Sequence, residues 1–432
     1  MNVLRITFLI FAILTLLTSC KARECAICDN GSDQGGVWEP PPPLNQSQFC
    51  GDDFTEDSDE LIQALGYGDT ADPHADPAQV VLLSGGGSRG SFGAGFMEAW
   101  RKEGNLPKFD MVTGISTGAI LASWIYLGDA NSYEIMRTSY NGEKLTNANI
   151  RSRRWLFPLV NSEFNLKPLL RLMENEVMTD ELIASVGEEY ENTGRQLWIG
   201  STNLETGQFC HWNLGLRARK AKNASGEERA VLMNHYRMLI IASSANPTVF
   251  QSVKISQNPV DPDSPAYFHA DGGVSQMIYV ESLETIAEQV IEMRGHQEPE
   301  FDKIPEMNVW AIVNGRLMPS QQCAAPGILS LGQRSLTLIE KSALRNDLAN
   351  IKVEVDSYMG TQPWNYMTAW IDYRKKLGGA AEFGQEVMKP IYDYGAEYFD
   401  RQHWCTNEIP HPDAKNKLCR IPVAGRPHCP SS

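Results

Sequence analysis

The sequence has no surplus of basic charge. Its 432 residues include 53 Asp and Glu against 38 Lys and Arg, a formal net charge of −15. That balance excludes a nucleic-acid partner, whose phosphate backbone is held by clustered Lys and Arg. A run long enough to span a bilayer is also missing. The mostly apolar stretch Ile6 to Leu17 falls short of the ~20 residues a transmembrane helix needs. Cys25-x-x-Cys28 has no second pair at metal-ligand spacing, which argues against a zinc site. No run of ligand residues suggests any other metal, and no cofactor is expected. No Gly-Lys-Ser or Gly-Lys-Thr closes a glycine turn, which excludes the phosphate loop of nucleotide hydrolases.

What is present begins with an export pattern. Arg5 is the only charge before Cys20, and the apolar run closes on Leu17-Thr18-Ser19-Cys20. This resembles a bacterial lipoprotein box, implying a signal peptide over 1–19 and a lipidated Cys20. The expectation is an exported lipoprotein anchored in a membrane, either in the outer membrane or facing the periplasm, with Lys21 favouring the outer membrane. Residues 20–77 are rich in Gly, Pro, Asp and Ser, with a polyproline stretch at Glu39-Pro40-Pro41-Pro42-Pro43, and read as a tether with one short helical stretch at Leu61 to Leu65. The nine cysteines crowd toward the two ends. In an exported chain the eight left after lipidation predict disulfides that tie down loop-rich ends, with the pairing open.

Order begins sharply at Val80-Val81-Leu82-Leu83, a buried-strand pattern followed by a glycine-rich turn and apolar helical spacing from Phe92 to Trp100. The pattern repeats, with a strand at Phe109 to Thr113, a turn at Gly114 to Gly118 and a helix from Ala119 to Tyr126. Two strand-to-helix units in succession predict an α/β fold with a mainly parallel sheet between helical layers. Leu197-Trp198-Ile199 and Val309 to Val313 read as further strands. Leu166, Leu169, Met173 and Val177 mark a helix, as do Leu283, Ile286, Val290 and Met293. The stripes at Leu344, Leu348, Ile351 and Val355 and at Val387, Ile391, Tyr394 and Tyr398 make the C-terminal third mainly helical. The expected division is an α/β domain at 78–320, a helical extension at 321–400 and a Cys-rich tail at 401–432.

Three segments carry chemistry. Ser84-Gly85-Gly86-Gly87-Ser88-Arg89-Gly90 joins the first strand to its helix. It fits the dinucleotide fingerprint, but Asp110, the acidic residue at the right distance, precedes its strand rather than ending it. Consecutive glycine amides at a helix start can instead converge on one oxyanion. Arg89 can bind a phosphate or hold the loop through carbonyl hydrogen bonds. Gly114-Ile115-Ser116-Thr117-Gly118 matches the nucleophile elbow G-x-S-x-G, with Gly114 and Gly118 permitting the tight turn and Ser116 as the nucleophile. Asp271-Gly272-Gly273 is, by itself, a turn.

Together and in this order the three segments resemble the patatin-like phospholipase family, which shares the glycine loop, the elbow and a D-G-G or D-G-A motif. Ala242-Ser243-Ser244-Ala245-Asn246-Pro247-Thr248-Val249-Phe250 and Ser201 to Gly207 are similar to further family segments. The resemblance covers roughly Ala78 to Arg316 and implies a three-layer α/β/α fold and hydrolysis of acyl esters in phospholipids or other lipids. It implies that Ser116 attacks the ester and that Asp271 takes the proton. The oxyanion loop Gly85, Gly86, Gly87, Arg89 and Gly90 would stabilise the charge, chiefly through the amides of Gly86 and Gly87. Ser84 departs from the Asp that many relatives carry before the glycines and resembles the cytosolic phospholipases of the same superfamily. A Ser-His-Asp esterase using His296, His403, His411 or His428 is the second enzyme reading. A surface lipoprotein that keeps the fold without turnover is the third.

Overall fold

The computed structural model describes residues 50–52, 77–150, 152–153, 164–165, 167–247, 250–280, 307–320, 327–357, 364–372, 378–402 and 404–421. The signal peptide, Cys20, Leu61 to Leu65 and the stripe from Leu283 to Met293 lie outside them. In chain order the first elements are β1 (Ala78–Leu83), α1 (Gly90–Glu103), β2 (Met111–Ile115), α2 (Thr117–Leu127), α3 (Ala130–Tyr140) and α4 (Asn147–Ile150). A two-stranded hairpin, β3 (Ser152–Arg153) and β4 (Phe164–Asn165), precedes α5 (Lys167–Leu172) and α6 (Asp180–Thr193). Then come β5 (Gln196–Asn203), β6 (Phe209–Asn213), α7 (Leu214–Asn223), α8 (Gly226–Ser243), β7 (Val253–Ser256) and β8 (Ala266–Asp271). β9 (Met307–Val313), α9 (Ile328–Ser357), β10 (Asn365–Trp370), α10 (Gln385–Gln402) and β11 (Cys405–Thr406) follow.

β1 is apolar without alternation because both of its faces are covered. Val81 and Leu83 enter the core built with α1, α2, α6 and α8, while Val80 and Leu82 enter a second core lined by Leu344, Leu348, Ile351 and Val355 of α9. Among the described residues the sheet between these cores has nine strands, in the path β11-β10-β9-β1-β2-β5-β8-β7 with β6 also on β5. β10, β9, β1, β2 and β5 run parallel. β6 and β8 meet β5 antiparallel, as β7 meets β8 and β11 meets β10. The fold is therefore the expected α/β arrangement, a mostly parallel sheet with helices on both sides.

Local chemistry fixes the helix ends. Asp129 caps α3 by accepting from the amides of Asn131 and Ser132, Thr179 caps α6 at Leu182, and Asn213 caps α7 at Leu216. The stripe Leu169, Met173 and Val177 is buried, but a single π turn at Met173–Val177 follows α5 in place of a continuous α-helix. Leu166 lies outside the described residues.

Two regions differ from the sequence expectation. The segment 321–400 is not purely a helical extension, since β10 extends the main sheet alongside β9. α10 lies directly on α1, where a Cβ at Gly95 would come 2.0 Å from the Tyr392 carbonyl oxygen and one at Gly395 would come 2.1 Å from that of Phe92. Below this crossing Phe96, Trp100, Trp310, Phe399 and Trp404 form one aromatic cluster. The expected tether also has a fixed point. Cys50 is disulfide-bonded to Cys210 on β6, and Gly51 bridges His211. Asp52 makes a bidentate pair with Arg217, at 2.7 and 2.9 Å, and accepts the Asn213 amide. A second disulfide, Cys405–Cys419, closes the tail. No helix among the described residues is long and apolar enough to cross a membrane.

Candidate active site

The site grows from the C-terminal ends of parallel strands, where open α/β sheets place their ligands. β2 ends at Ile115, Ser116 turns the chain and α2 starts at Thr117. Ser116 holds φ 56° and ψ −122°, a backbone conformation costly for a residue with a side chain. Contacts from the end of α8 hold it there. The Ser116 amide donates to Ser243 Oγ at 3.0 Å, and Ser244 Oγ donates to the Ser116 carbonyl at 3.0 Å. Gly118 allows the elbow to seat against β1, because a Cβ there would fall 2.2 Å from the Leu83 carbonyl oxygen.

Strand register brings Asp271 to Ser116. β5 uses one edge for β6, with Gly200 opposite His211 and Ser201 opposite Cys210. Along the other edge β2 pairs as far as Ile115 opposite Gly200, and β8 takes over with Asp271 opposite Ser201. The two strands therefore abut end to end on one edge of β5. Ser116, the residue after β2, and Asp271, the last residue of β8, share a nearly closed site at 8% and 7% exposure.

Burial pushes the Asp271 carboxyl up to about 7, and Glu340 adds to the rise. The Gly273 amide, which donates to Oδ1 at 2.8 Å, and the Ser116 side chain pull in the other direction. A carboxylate in this state is a far stronger base than a solvated one and sits beside a hydroxyl.

The glycine loop packs over the elbow, with a Cβ at Gly85 falling 3.2 Å from that of Ser116. The five loop residues expected around an oxyanion are not equivalent. The Gly85 amide is occupied, donating to the Met277 carbonyl at 3.1 Å. The Gly90 amide is spent on the carbonyls of Gly87 and Ser88 where α1 begins. The amides of Gly86 and Gly87 have no hydrogen-bond partner among the described residues. They stand at the positive end of α1. Arg89 takes the loop-holding role in part, its Nη2 donating to the Gly378 carbonyl at 3.4 Å. Burial and then the neighbouring Arg316 lower its pKa, against the pull of Glu340.

Several residues around this constellation carried no role in the sequence reading. Asn314, just past β9, is fully buried and clamps the loop. Its Nδ2 donates to the Ser84 carbonyl at 2.8 Å, its amide donates to Ser84 Oγ at 2.8 Å, and its Oδ1 accepts the Gly93 amide at 3.1 Å. Gly86 presses on it so closely that a Cβ would fall 2.0 Å from the Asn314 carbonyl oxygen. The available signal was positional, a polar residue ending a predicted parallel strand. Asp347 of α9 accepts the Met277 amide at 2.7 Å, and Met277 in turn receives Gly85. Burial pushes the Asp347 carboxyl up to about 6, against the amides of Met277 and Ile278. No local pattern announces that link.

Among the described residues no histidine hydrogen-bonds to Ser116 or Asp271. His269 is buried on β8, with burial pushing its pKa down to about 4, and its Nδ1 pairs with Ser201 Oγ at 2.9 Å. Of the four histidines weighed for a Ser-His-Asp arrangement, His411 lies in the tail, where its Nδ1 accepts the Asp413 amide. His296, His403 and His428 lie outside the described residues. Cys50, Cys210 and His269 place ligand atoms within 4.8 Å of one another, but the two sulfurs are bonded together and offer no thiolate.

With this geometry in place, comparison with known proteins is informative. Residues 81–283 match the family model described as Patatin-like phospholipase. A search of curated proteins gave no match. Among solved structures, VipD from Legionella pneumophila is similar at 15% identity and a TM-score of 0.28, covering 77% of this chain and 68% of that one.

Proposed function

We propose, from the match of residues 81–283 to the Patatin-like phospholipase family model, that this chain is a lipid acyl hydrolase that cleaves acyl esters through a Ser116–Asp271 dyad. The observation that carries the reading is the end-to-end meeting of β2 and β8 on β5, which sets the elbow hydroxyl beside a buried carboxylate.

In the proposed reaction Asp271 accepts the Ser116 proton as Oγ attacks the ester carbonyl. The developing oxyanion takes hydrogen bonds from the amides of Gly86 and Gly87. Collapse expels the alcohol, which recovers the proton from Asp271, and leaves an acyl-Ser116 ester. Water, deprotonated by the same carboxylate, then releases the fatty acid. Oxyanion donors of this kind are each worth about 3 kcal/mol of barrier. The α1 dipole adds to them.

The proposal includes export and lipidation at Cys20, which would hold the site near its substrate. The Cys50–Cys210 and Cys405–Cys419 disulfides support an oxidising compartment. The outer membrane is the proposed location. The decisive experiment incubates purified protein with mixed bilayer lipids and follows products by mass spectrometry. Wild type is expected to release fatty acid, while Ser116→Ala and Asp271→Asn lose at least about a thousandfold in rate and remain folded. An active Asp271→Asn variant would rule out the dyad.

A further inference from the structure

A carboxylate at the edge of an apolar core requires an explanation, because taking its charge out of water is costly unless polar partners replace the solvent. Asp347 is half-buried on α9, between Leu344 and Leu348, whose side chains enter the core that also holds Met277, Ile278 and Tyr279. It makes no ion pair among the described residues. Its partners are main-chain amides instead. Oδ2 accepts the Met277 amide at 2.7 Å, and the Ile278 amide also favours the ionised form. Charge-assisted bonds of this kind are stronger than neutral ones and hold the segment they reach.

That segment joins the two halves of the site. Met277 lies six residues past Asp271, and the chain between them is bound at both ends. At the first end the Gly273 amide donates to Asp271 Oδ1 at 2.8 Å, and Thr202 Oγ1 donates to the Asp271 carbonyl at 3.1 Å. The amides of Ser275 and Gln276 close the turn on the Gly272 carbonyl at 3.0 and 2.9 Å. At the second end the Met277 carbonyl accepts the Gly85 amide at 3.1 Å, next to Gly86 and Gly87. The Met277 side chain lies between the same two places, since a Cβ at Gly85 would come 3.6 Å from its Cε and one at Gly273 would come 2.9 Å from its Sδ. Thr113 of β2, three residues before Ser116, donates its Oγ1 to the Tyr279 carbonyl at 2.7 Å. The strand of the nucleophile, the turn of the base and the glycine loop thus share one clasp over 272–279, and Asp347 grips it from α9.

We propose that Asp347 is a positioning residue for the reaction at Ser116: by holding the Met277 amide it sets the glycine loop at the distance from Asp271 that the transition state needs. This rests on the Ser116–Asp271 hydrolase reading and deepens it by giving α9 a part in the chemical step. Asp347 lies beyond residues 81–283, the segment matched to the family model, so the motifs of that segment do not announce it. A misplacement of about 1 Å at such a site costs on the order of a hundredfold in rate. Donors aimed at the oxyanion lose more in the transition state than with the resting ester, so the loss falls on kcat rather than on KM.

The test uses the full-length protein and the soluble ester p-nitrophenyl butyrate. Asp347→Leu keeps the volume and removes the acceptor, whereas Asp347→Asn leaves an oxygen for the Met277 amide. Asp347→Leu is expected to lose roughly thirtyfold in kcat with KM within about twofold, and Asp347→Asn to stay within about threefold of wild type. Where Asp347→Leu does not fold, Asp347→Ser, too short to reach the amide, replaces it. Ile351→Ala, which trims the same apolar stripe one turn away, is the stability control: Tm falls while kcat stays within about twofold. Hydrogen exchange reads the clasp without turnover, and peptides over 84–90 and 275–280 should exchange faster in Asp347→Leu than in wild type or Asp347→Asn. A rise in KM at constant kcat, an unchanged kcat in Asp347→Leu, an equal kcat loss in Ile351→Ala, or unchanged exchange would overturn the proposal. Should Ser116→Ala still turn over the ester, the dyad reading fails, and the exchange measurement judges the clasp separately.

Discussion

Asp271 is the residue on which pH should act. Its carboxyl titrates near 7 because burial disfavours the charged form. The proposed base works only when ionised, so kcat/KM should fall about tenfold per pH unit below that value. Stability has the opposite sign. A folded-state pKa raised above the unfolded one contributes stability below about pH 4 that is lost as pH rises to about 7, leaving the ionised group a net cost at pH 8. That cost is of the order of 4 kcal/mol for a shift of this size. Asp271→Asn should therefore raise Tm at pH 8 relative to wild type and narrow that gain at pH 5, measured by differential scanning calorimetry. An unchanged Tm at both pH values would mean that the carboxylate is well solvated.

At the scale of elements, the glycine loop is shaped from behind by β9. Asn314 ties the end of β9 to Ser84 and to the first turns of α1 through three hydrogen bonds. Asn314→Ala would keep the amide bond and lose the two made by its side chain, leaving a buried carbonyl and amide unsatisfied at a cost of about 1–3 kcal/mol each. Under the proposed mechanism the loop acts on the transition state rather than on bound substrate, so kcat should drop by roughly ten- to a hundredfold with KM little changed. A rise in KM at constant kcat would instead place Asn314 in ground-state binding. Both segments are legible in the sequence, one as the glycine loop after β1 and the other as the apolar run Val309 to Val313. Their pairing is not legible there, because parallel pairing between β1 and β9 spans more than two hundred residues of intervening chain.

At the scale of the whole molecule, the two disulfides among the described residues differ in what they constrain. Cys50–Cys210 closes a separation of 160 residues and Cys405–Cys419 one of 14. In the chain-entropy view these are worth about 5 and about 3 kcal/mol respectively. The paired substitution Cys50→Ser with Cys210→Ser should lower Tm more than Cys405→Ser with Cys419→Ser. Equal effects would show that the unfolded chain is not limited by the long closure. The C-terminal third is also integral to the molecule, since β10 extends the sheet and α10 lies on α1.

The sequence by itself determined whatever adjacent residues can enforce. Apolar runs with glycine turns specify strand-to-helix units, and G-x-S-x-G specifies a strained elbow at Ser116, because those preferences act within a few bonds. Which amides in the glycine loop stay open, which cysteines join, where Asn314 and Asp347 come to lie and how Asp271 reaches Ser116 were decided only in three dimensions. They depend on strand register and on packing between segments far apart in the chain, and register is set by the burial of whole faces rather than by any local run of residues.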